Sequence, residues 1–332
     1  MRKNRDKERS SPIGELKGLF RDALKLSLDL FKIMVPVIIV VKILKELDLI
    51  TYLAIPLSPL MKAVGLPAEM GLVWATAMLN NLYGAMVVLL SLVKDVPIST
   101  AQVTVLCAMM LVAHALPIEL KIAQLSGPRL MFQAFCRLGS ALLLGWMLHI
   151  FYSRLGLLQQ PVDIIFRPDD KILSHKESLA SWAAGEAQNL LFIFFIILGL
   201  FLLMRILKKL RIIDAMNRML SPVLKLMGIG PKASAITVIG LTLGISYGGG
   251  LIIHEARSGR AHKKDVFYSL TLMGLSHALI EDTLLMVMLG GRLSGVLWAR
   301  LAFSLLAVTL LVQISARLPA GFCDRFLWGP PK

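Results

Sequence analysis

The sequence predicts an all-α polytopic membrane protein made of two inverted-topology repeats. Of its 332 residues, 56% are hydrophobic, against roughly 45–50% apolar residues in a soluble domain, and its mean hydropathy is +0.72. Several stretches approach the ~20 apolar residues that cross a bilayer. The first half of the chain also recurs in the second half, which is typical of repeat-built membrane proteins.

The repeat consists of short identical strings that lie 163 residues apart. The matching strings are Leu57-Ser58-Pro59 with Leu220-Ser221-Pro222, His114-Ala115-Leu116 with His277-Ala278-Leu279, and Arg137-Leu138 with Arg300-Leu301. Tyr83-Gly84 returns as Tyr247-Gly248 at a spacing of 164, which indicates a one-residue insertion near Gly230. We therefore interpret the chain as two related halves.

The repeat divides the chain into five segments. They are a basic amphipathic N-terminus (1–28), a first repeat (29–152), a polar linker (153–188), a second repeat (189–317) and a C-terminal tail (318–332). The N-terminal segment carries Lys17, Arg21 and Lys25. It either lies along the inner membrane surface or forms a solvated basic tail.

Each repeat is predicted to contain about three spanning helices, a re-entrant helical hairpin and an amphipathic helix. The predicted spanning helices are 29–50, 100–122 and 130–152, then 189–211, 266–289 and 294–316; the amphipathic pieces are 52–65 and 214–229. The apolar segments 68–93 and 232–254 are interrupted at Asn80–Gly84 and Gly244–Gly250, where asparagine and glycine disfavour a helix. The alternative is one spanning helix with a glycine-rich packing face.

The charges favour opposite orientations for the two halves. Basic residues gather at 205–230 and 255–265, whereas the equivalent stretches of the first half carry few. The positive-inside rule then places these stretches and both termini in the cytoplasm of a bacterial inner membrane. The same rule accounts for the net charge of +15, so we do not expect nucleic-acid binding. Because no phosphate loop, HExxH or GxSxG motif occurs, we do not expect an enzyme.

The two interruptions are candidate substrate-binding tips. Half-helix N-termini at the bilayer midplane offer free N–H groups and positive dipole ends to a polar solute. The candidate residues are Asn80, Asn81, Tyr83 and Gly84 in the first half, and Ser246, Tyr247, Gly248 and Gly249 in the second. The alternative is that the glycines serve close packing and the tyrosines fill space.

Ionisable side chains inside the apolar spans form a second candidate site, because intramembrane charge is costly and usually functional. The candidates for ion coupling or metal binding are His114, Glu119, His277, Glu281 and Asp282. We expect His277 and Glu281 to share one helix face, and Pro117 to kink or break its helix. Alternatively, a structural hydrogen bond between histidine and carboxylate pins two helices together. Arg137 and Arg300 are expected to be snorkelling or interhelical anchors.

The tips and the later string His277-Ala278-Leu279-Ile280-Glu281-Asp282 resemble the Gate, or nucleoside-recognition, domain. This domain occurs in concentrative nucleoside transporters, Feo-type ferrous-iron permeases and spore maturation proteins A and B. The resemblance covers about 30–152 and 189–316 and implies two Gate units whose tips and broken helices line a site. The chain lacks the fused GTPase of the iron permeases and the extra scaffold helices of the nucleoside transporters, which leaves the substrate open.

Three functions are consistent with these observations. The first is a secondary transporter of a small polar solute, coupled to H⁺ or Na⁺ and without a bound cofactor. The second is a divalent-cation permease whose ligands are the histidines and carboxylates. The third is a non-transporting membrane assembly factor of the spore-maturation type. The expected surroundings are a lipid bilayer, the solute, and either further copies of the chain or a membrane partner protein.

Overall fold

The computed structural model describes residues 12–47, 49–93, 95–164, 179–230 and 262–330, with isolated residues between 231 and 261. The second predicted tip, Ser246, Tyr247, Gly248 and Gly249, lies outside the described residues. Within the described parts the chain is helical and contains no strand, only two isolated bridges. The predicted all-α class is therefore confirmed.

Fourteen α-helices have both ends within the described residues. They are α1 (Pro12–Glu46), α2 (Leu49–Ala54), α3 (Ser58–Ala63), α4 (Met70–Leu79), α5 (Leu82–Leu92), α6 (Thr100–Val112), α7 (Leu116–Leu125), α8 (Leu130–Arg154), α9 (Leu179–Lys209), α10 (Ile212–Leu226), α11 (Lys263–Ser276), α12 (Glu281–Met288), α13 (Arg300–Arg317) and α14 (Ala320–Phe326). A short 3-10 helix (Ile55–Leu57) precedes α3, and a π-helix (Ser294–Ala299) runs into α13.

The described parts of the chain contain five helical stretches that are long and apolar enough to cross a membrane. They are Thr100–Leu125, Leu130–Arg154, Trp182–Gly199, Lys263–Met288 and Ser294–Arg317. The chain is thus a polytopic membrane protein. The predicted crossing at 29–50 is not among these five, because the second half of α1 carries several charges, and it stays a prediction.

One of two compact units comprises Met1–Val40 and Phe166–Asp214. Its described parts are most of α1, all of α9 and the start of α10, and the rings of Phe20 and Phe194 meet edge to face at 5.6 Å. Helix α1 continues through the predicted segment boundary at residue 28 and contains Pro36.

The other unit comprises Val41–Ile165 and Ala215–Lys332. Its interior is formed by the stretches Thr100–Leu125 and Lys263–Met288, whose most apolar windows are 78% and 72% buried. The corresponding figure for α8 and for Ser294–Arg317 is only 28%. Large apolar side chains such as Phe135 and Trp146 are exposed on α8. A contiguous apolar outer surface of this kind is suited to lipid.

The predicted interruption of segment 68–93 is confirmed. Helix α4 ends at Leu79, and α5 begins at Leu82 after Asn80 and Asn81. Asn81 caps α5, because its side-chain oxygen accepts a hydrogen bond from the Gly84 N–H at 2.8 Å. The two helices pack against each other, and each is about 15 Å long at 1.5 Å per residue, which is half of a bilayer core.

The two predicted helices 100–122 and 266–289 are also interrupted; Pro117 predicted a break in the first, whereas for the second only the resemblance implied one. The first breaks between Val112 and Leu116, and the second between Ser276 and Glu281. The expectation that Pro117 breaks its helix is confirmed: it lies in the first turn of α7, where a missing N–H costs nothing. His277 and Glu281 do not share a helix face, because His277 caps α11 and Glu281 begins α12.

The same backbone conformation recurs at equivalent places of the two halves. Positive φ angles occur at Gly65 and Gly228 (70° and 82°), at Ala115 and Ala278 (46° and 45°), and at Gly127 and Gly290 (120° and 96°). All three pairs have the 163-residue spacing of the sequence repeat. Alanine rarely adopts the left-handed conformation. Its presence in both helix breaks therefore indicates that the breaks are built in the same way.

Candidate functional site

The two helix breaks bring four helix ends together inside the second unit. His114 and His277 lie at the C-terminal ends of α6 and α11, which turn at the following alanine. Glu119 and Asp282 lie in the first turns of α7 and α12. This distribution follows the helix dipoles, which favour carboxylates at N-termini and cationic side chains at C-termini.

Each break is held by a backbone hydrogen bond to a neighbouring segment. The Ala115 N–H donates to the Ala77 carbonyl in α4 at 2.9 Å, and the Leu279 N–H donates to the Leu241 carbonyl at 2.8 Å. Both contacts use N–H groups that an uninterrupted helix would pair within itself. The first contact thereby fixes the interrupted α4–α5 segment against the break that carries His114.

We define the histidine–carboxylate cluster as His114, His277, Glu119 and Asp282. The Nε2 atoms of the two histidines are 3.1 Å apart, and Glu119 Oε1 is 3.1 Å from His277 Nε2. His114 Nε2 lies 3.7 Å from both Glu119 Oε1 and Asp282 Oδ2. The structure thus brings together four of the five predicted ion-site residues, two from each half.

Backbone hydrogen bonds define which ring nitrogen of each imidazole carries a donated proton. His114 Nδ1 is 3.0 Å from the Met110 carbonyl, and His277 Nδ1 is 2.8 Å from the Met273 carbonyl. Because a carbonyl oxygen only accepts, each Nδ1 donates its proton to the backbone. When both imidazoles are neutral, each Nε2 carries a lone pair, and the two lone pairs face each other across 3.1 Å.

Arg137 is an interhelical anchor, which is one of its two expected roles, and it is also a member of the site. Its guanidinium donates to Glu119 Oε2 at 2.5 Å and to the backbone carbonyls of Val112 and His114 at 2.9 and 3.0 Å. The side chain is 2% exposed, which excludes snorkelling. Arg137 therefore orients Glu119 and ties α8 to the first helix break. Two features of the sequence point to this role. Arg137 is matched by Arg300 in the repeat, and it lies in the same half as the intramembrane Glu119.

Arg300 occupies the equivalent position of the second half with different contacts. It is fully buried, and its Nη2 lies 3.5 Å from Thr283 Oγ1. Among the described residues, its Nε and Nη1 atoms have no hydrogen-bond partner. Burial excludes the snorkelling alternative here as well, and the contact of Arg300 with Thr283 on α12 joins two helices, as expected of an interhelical anchor.

The first predicted tip lies at the edge of the cluster. The Tyr83 hydroxyl donates to Glu281 Oε1 at 3.5 Å, which joins residues from the two halves. Asn81 and Gly84 have a local role in capping α5. A Cβ at Gly84 would lie 2.7 Å from Asn80 Nδ2, so this glycine allows a close approach.

The cluster is more exposed at Asp282 than at its other members. The side chain of Asp282 is 16% exposed, whereas those of the two histidines and Glu119 are between 3% and 7% exposed. A cleft of about 190 Å³ lies elsewhere in this unit, beside Gly65, Gln102 and His149. None of the predicted site residues lines that cleft. Asp282 is therefore the most accessible member of the cluster.

Comparison with known proteins supports the membrane class and leaves the family open. The chain is 26% identical over 262 residues to the uncharacterized membrane protein YvoD of Bacillus subtilis (strain 168), which covers 78% of this chain and 81% of the relative. No family model matches the chain, and no solved structure matches it significantly. The fold and the relative together define a polytopic helical membrane protein.

Proposed function

We propose that this protein is a secondary transporter of a small polar solute in a bacterial inner membrane, with no enzymatic activity. The observation that carries the proposal is the buried pair of His114 and His277, whose Nε2 atoms are 3.1 Å apart. Each histidine lies at a helix break, and the two breaks belong to different halves of the chain. Intramembrane ionisable groups of this kind usually mark a transport path.

A shared proton is the simplest ion that the pair can hold. The facing lone pairs repel each other when both imidazoles are neutral, and one proton between them converts the repulsion into a hydrogen bond. Glu119 and Asp282 lie within 3.1–3.7 Å of the histidine nitrogens and would offset the added charge. We infer that proton binding at this cluster is the coupling step, with Na⁺ as the alternative coupling ion.

The solute would bind where the hairpin tip of the first half approaches the cluster. Tyr83 supplies an aromatic face and a hydroxyl, and that hydroxyl already contacts Glu281 at 3.5 Å. Because Glu281 directly precedes Asp282 of the cluster, a change at Asp282 would also alter the contact between Glu281 and Tyr83. Ser246, Tyr247, Gly248 and Gly249 are proposed as the corresponding tip of the second half. The resemblance to Gate domains suggests nucleoside-like solutes as the first class to test.

The inverted arrangement of the two halves would allow the conformational change that transport requires. With opposite orientations, exchanging the conformations of the repeats opens the same central site to opposite sides of the membrane. The distribution of Lys and Arg supports this arrangement, with both termini in the cytoplasm.

The test is solute uptake by purified protein in liposomes. A thermal-shift screen with nucleosides and other small polar solutes first identifies a ligand, and uptake of that ligand is then measured with and without an inward proton gradient. We expect gradient-driven uptake in the native chain and its loss in a Glu281→Gln, Asp282→Asn double variant. A Glu46→Gln, Asp324→Asn double variant, which changes two exposed carboxylates, is the matched control.

Two results would overturn the proposal. Uptake that persists unchanged in the Glu281→Gln, Asp282→Asn variant removes the coupling role of the cluster. The absence of any ligand-dependent shift, together with a stable membrane protein partner in pull-down experiments, would identify a non-transporting assembly factor instead.

A further inference from the structure

We propose that the histidine–carboxylate cluster is a binding site for a divalent first-row transition metal ion. The ligands are Nε2 of His114, Nε2 of His277 and a carboxylate oxygen of Asp282, with Glu119 as a fourth. The inference rests on the same cluster as the proposed function and deepens it, because it names the ion class that competes with the coupling proton.

The candidate ligand atoms lie close enough together to bind one metal ion. One ligand atom from each of His114, His277 and Asp282 lies within 4.8 Å of the others. Two nitrogens that bind one metal at about 2.0–2.1 Å, with an angle near 90–109°, are roughly 2.8–3.4 Å apart. The observed Nε2–Nε2 distance of 3.1 Å falls in this range, as does the 3.1 Å between His277 Nε2 and Glu119 Oε1. Asp282 Oδ2, at 3.7 Å from His114 Nε2, must move closer when the metal binds.

Hydrogen bonds to neighbouring groups orient the candidate ligands. A metal-binding histidine typically donates its other ring N–H to a carbonyl or carboxylate, which fixes the tautomer and the ring direction. Both histidines do so, to Met110 and Met273. Arg137 holds Glu119 in the same way, through Oε2, and leaves Oε1 directed at the histidines. The lone pairs are therefore oriented before a metal arrives.

The nitrogen and oxygen atoms of the cluster are the ligand types that first-row transition metals accept. Two imidazole nitrogens with one or two carboxylates suit Fe²⁺, Mn²⁺, Co²⁺ or Zn²⁺. Mg²⁺ and Ca²⁺ prefer oxygen ligands throughout, and Cu⁺ prefers sulfur. Entry past the partly exposed Asp282 would place a carboxylate first on the path, which helps to remove water from the arriving cation.

The test uses Co²⁺ as the probe with the full chain purified in detergent. Cobalt bound to nitrogen and oxygen ligands gives visible ligand-field absorption bands, and their intensity reports the stoichiometry. We expect one Co²⁺ per chain, with bands that disappear in His277→Ala. They should persist in His262→Ala, where an exposed histidine before α11 is removed.

A second variant protects the test against misfolding. Asp282→Asn keeps the size of a partly exposed side chain, and it should weaken Co²⁺ binding at least tenfold while the metal-free thermal midpoint remains close to that of the native chain. Absence of Co²⁺ bands in the native protein, or equal bands in His277→Ala and His262→Ala, would overturn the metal site.

Transport is measured separately, so the two proposals can fail independently. Liposomes that contain the protein are loaded with a metal-sensitive dye, and Mn²⁺ entry is followed beside solute uptake. Co²⁺ binding without any solute or metal entry supports the site and overturns the transporter. Proton-driven solute uptake without Co²⁺ binding supports the transporter and overturns the metal site.

Discussion

Arg137 and Arg300 occupy equivalent positions 163 residues apart, but within the described parts of the chain only Arg137 has the hydrogen bonds of its guanidinium satisfied. Arg137 donates to Glu119 and to two backbone carbonyls. Among the described residues Arg300 makes one hydrogen bond, at 3.5 Å to Thr283, and two of its buried nitrogens have no hydrogen-bond partner, although the guanidinium also interacts electrostatically with Asp282. Two matching halves therefore hold their arginines in different states. An inverted-repeat transporter requires such asymmetry, because its halves exchange conformations.

The asymmetry predicts unequal effects on stability. Arg137→Met leaves Glu119 buried without its partner, and removal of one member of a buried ion pair typically costs about 3–5 kcal/mol. Arg300→Met removes a guanidinium whose hydrogen bonds are largely unmade, so we expect a loss below about 1 kcal/mol. Thermal midpoints of both variants in detergent measure the difference. Equal losses would mean that Arg300 is paired as well as Arg137.

The left-handed alanines predict a glycine substitution that is tolerated. Ala115 has a φ of 46°, a conformation that costs an L-residue roughly 1–2 kcal/mol. Glycine avoids this cost, which offsets the roughly 0.5–1 kcal/mol that glycine loses through chain entropy. We expect Ala115→Gly to leave the thermal midpoint unchanged or to raise it.

The control for this prediction is Ala134→Gly, in the regular helix α8. There glycine brings no conformational benefit and should cost about 1 kcal/mol. A similar loss at both positions would argue against a left-handed break after His114.

Much of the fold could be predicted from local sequence signals. Hydropathy located the long spans, and the asparagines before Tyr83 located the break between α4 and α5. Pro117 predicted the first helix break, because proline lacks an N–H and its ring clashes with the preceding turn of a helix. The spacing of the repeat also identified His114 and His277 as equivalent before any contact between them was known.

The break after His277 had no local signal. Ala278, Leu279 and Ile280 are compatible with a helix, and the break depends on a tertiary hydrogen bond from Leu279 to Leu241. The pairing of Arg137 with Glu119 was missed for the same reason. Whether an intramembrane arginine snorkels or is buried depends on which helices surround it, and a single sequence does not contain that information.

The tip of the first half predicts opposite effects for two glycine-to-alanine changes. A Cβ at Gly84 would lie 2.7 Å from Asn80 Nδ2, so Gly84→Ala should cost about 1–3 kcal/mol through overpacking. A Cβ at Gly139, inside α8, meets nothing within 4 Å. Gly139→Ala should therefore raise the stability by roughly 0.5–1 kcal/mol. Thermal midpoints that change in the same direction would contradict the close approach at the tip.

The inverted topology predicts that Asp95 and His262 face opposite sides of the membrane. Asp95 follows the interrupted segment of the first half, where basic residues are few, and His262 follows the equivalent segment of the second half beside Lys263 and Lys264. The positive-inside rule then places His262 in the cytoplasm and Asp95 outside. The measurement is labelling of Asp95→Cys and His262→Cys in intact cells with a membrane-impermeant maleimide.

Both variants are made in a chain whose three native cysteines are replaced, so that each carries one thiol. We expect the Asp95→Cys variant to react in intact cells and the His262→Cys variant to react only after lysis. Reaction of both thiols from the same side would make the two halves parallel. The histidines would still touch, but exchanging the conformations of the halves would no longer open the cluster to opposite sides, and the transport mechanism proposed for it would fail.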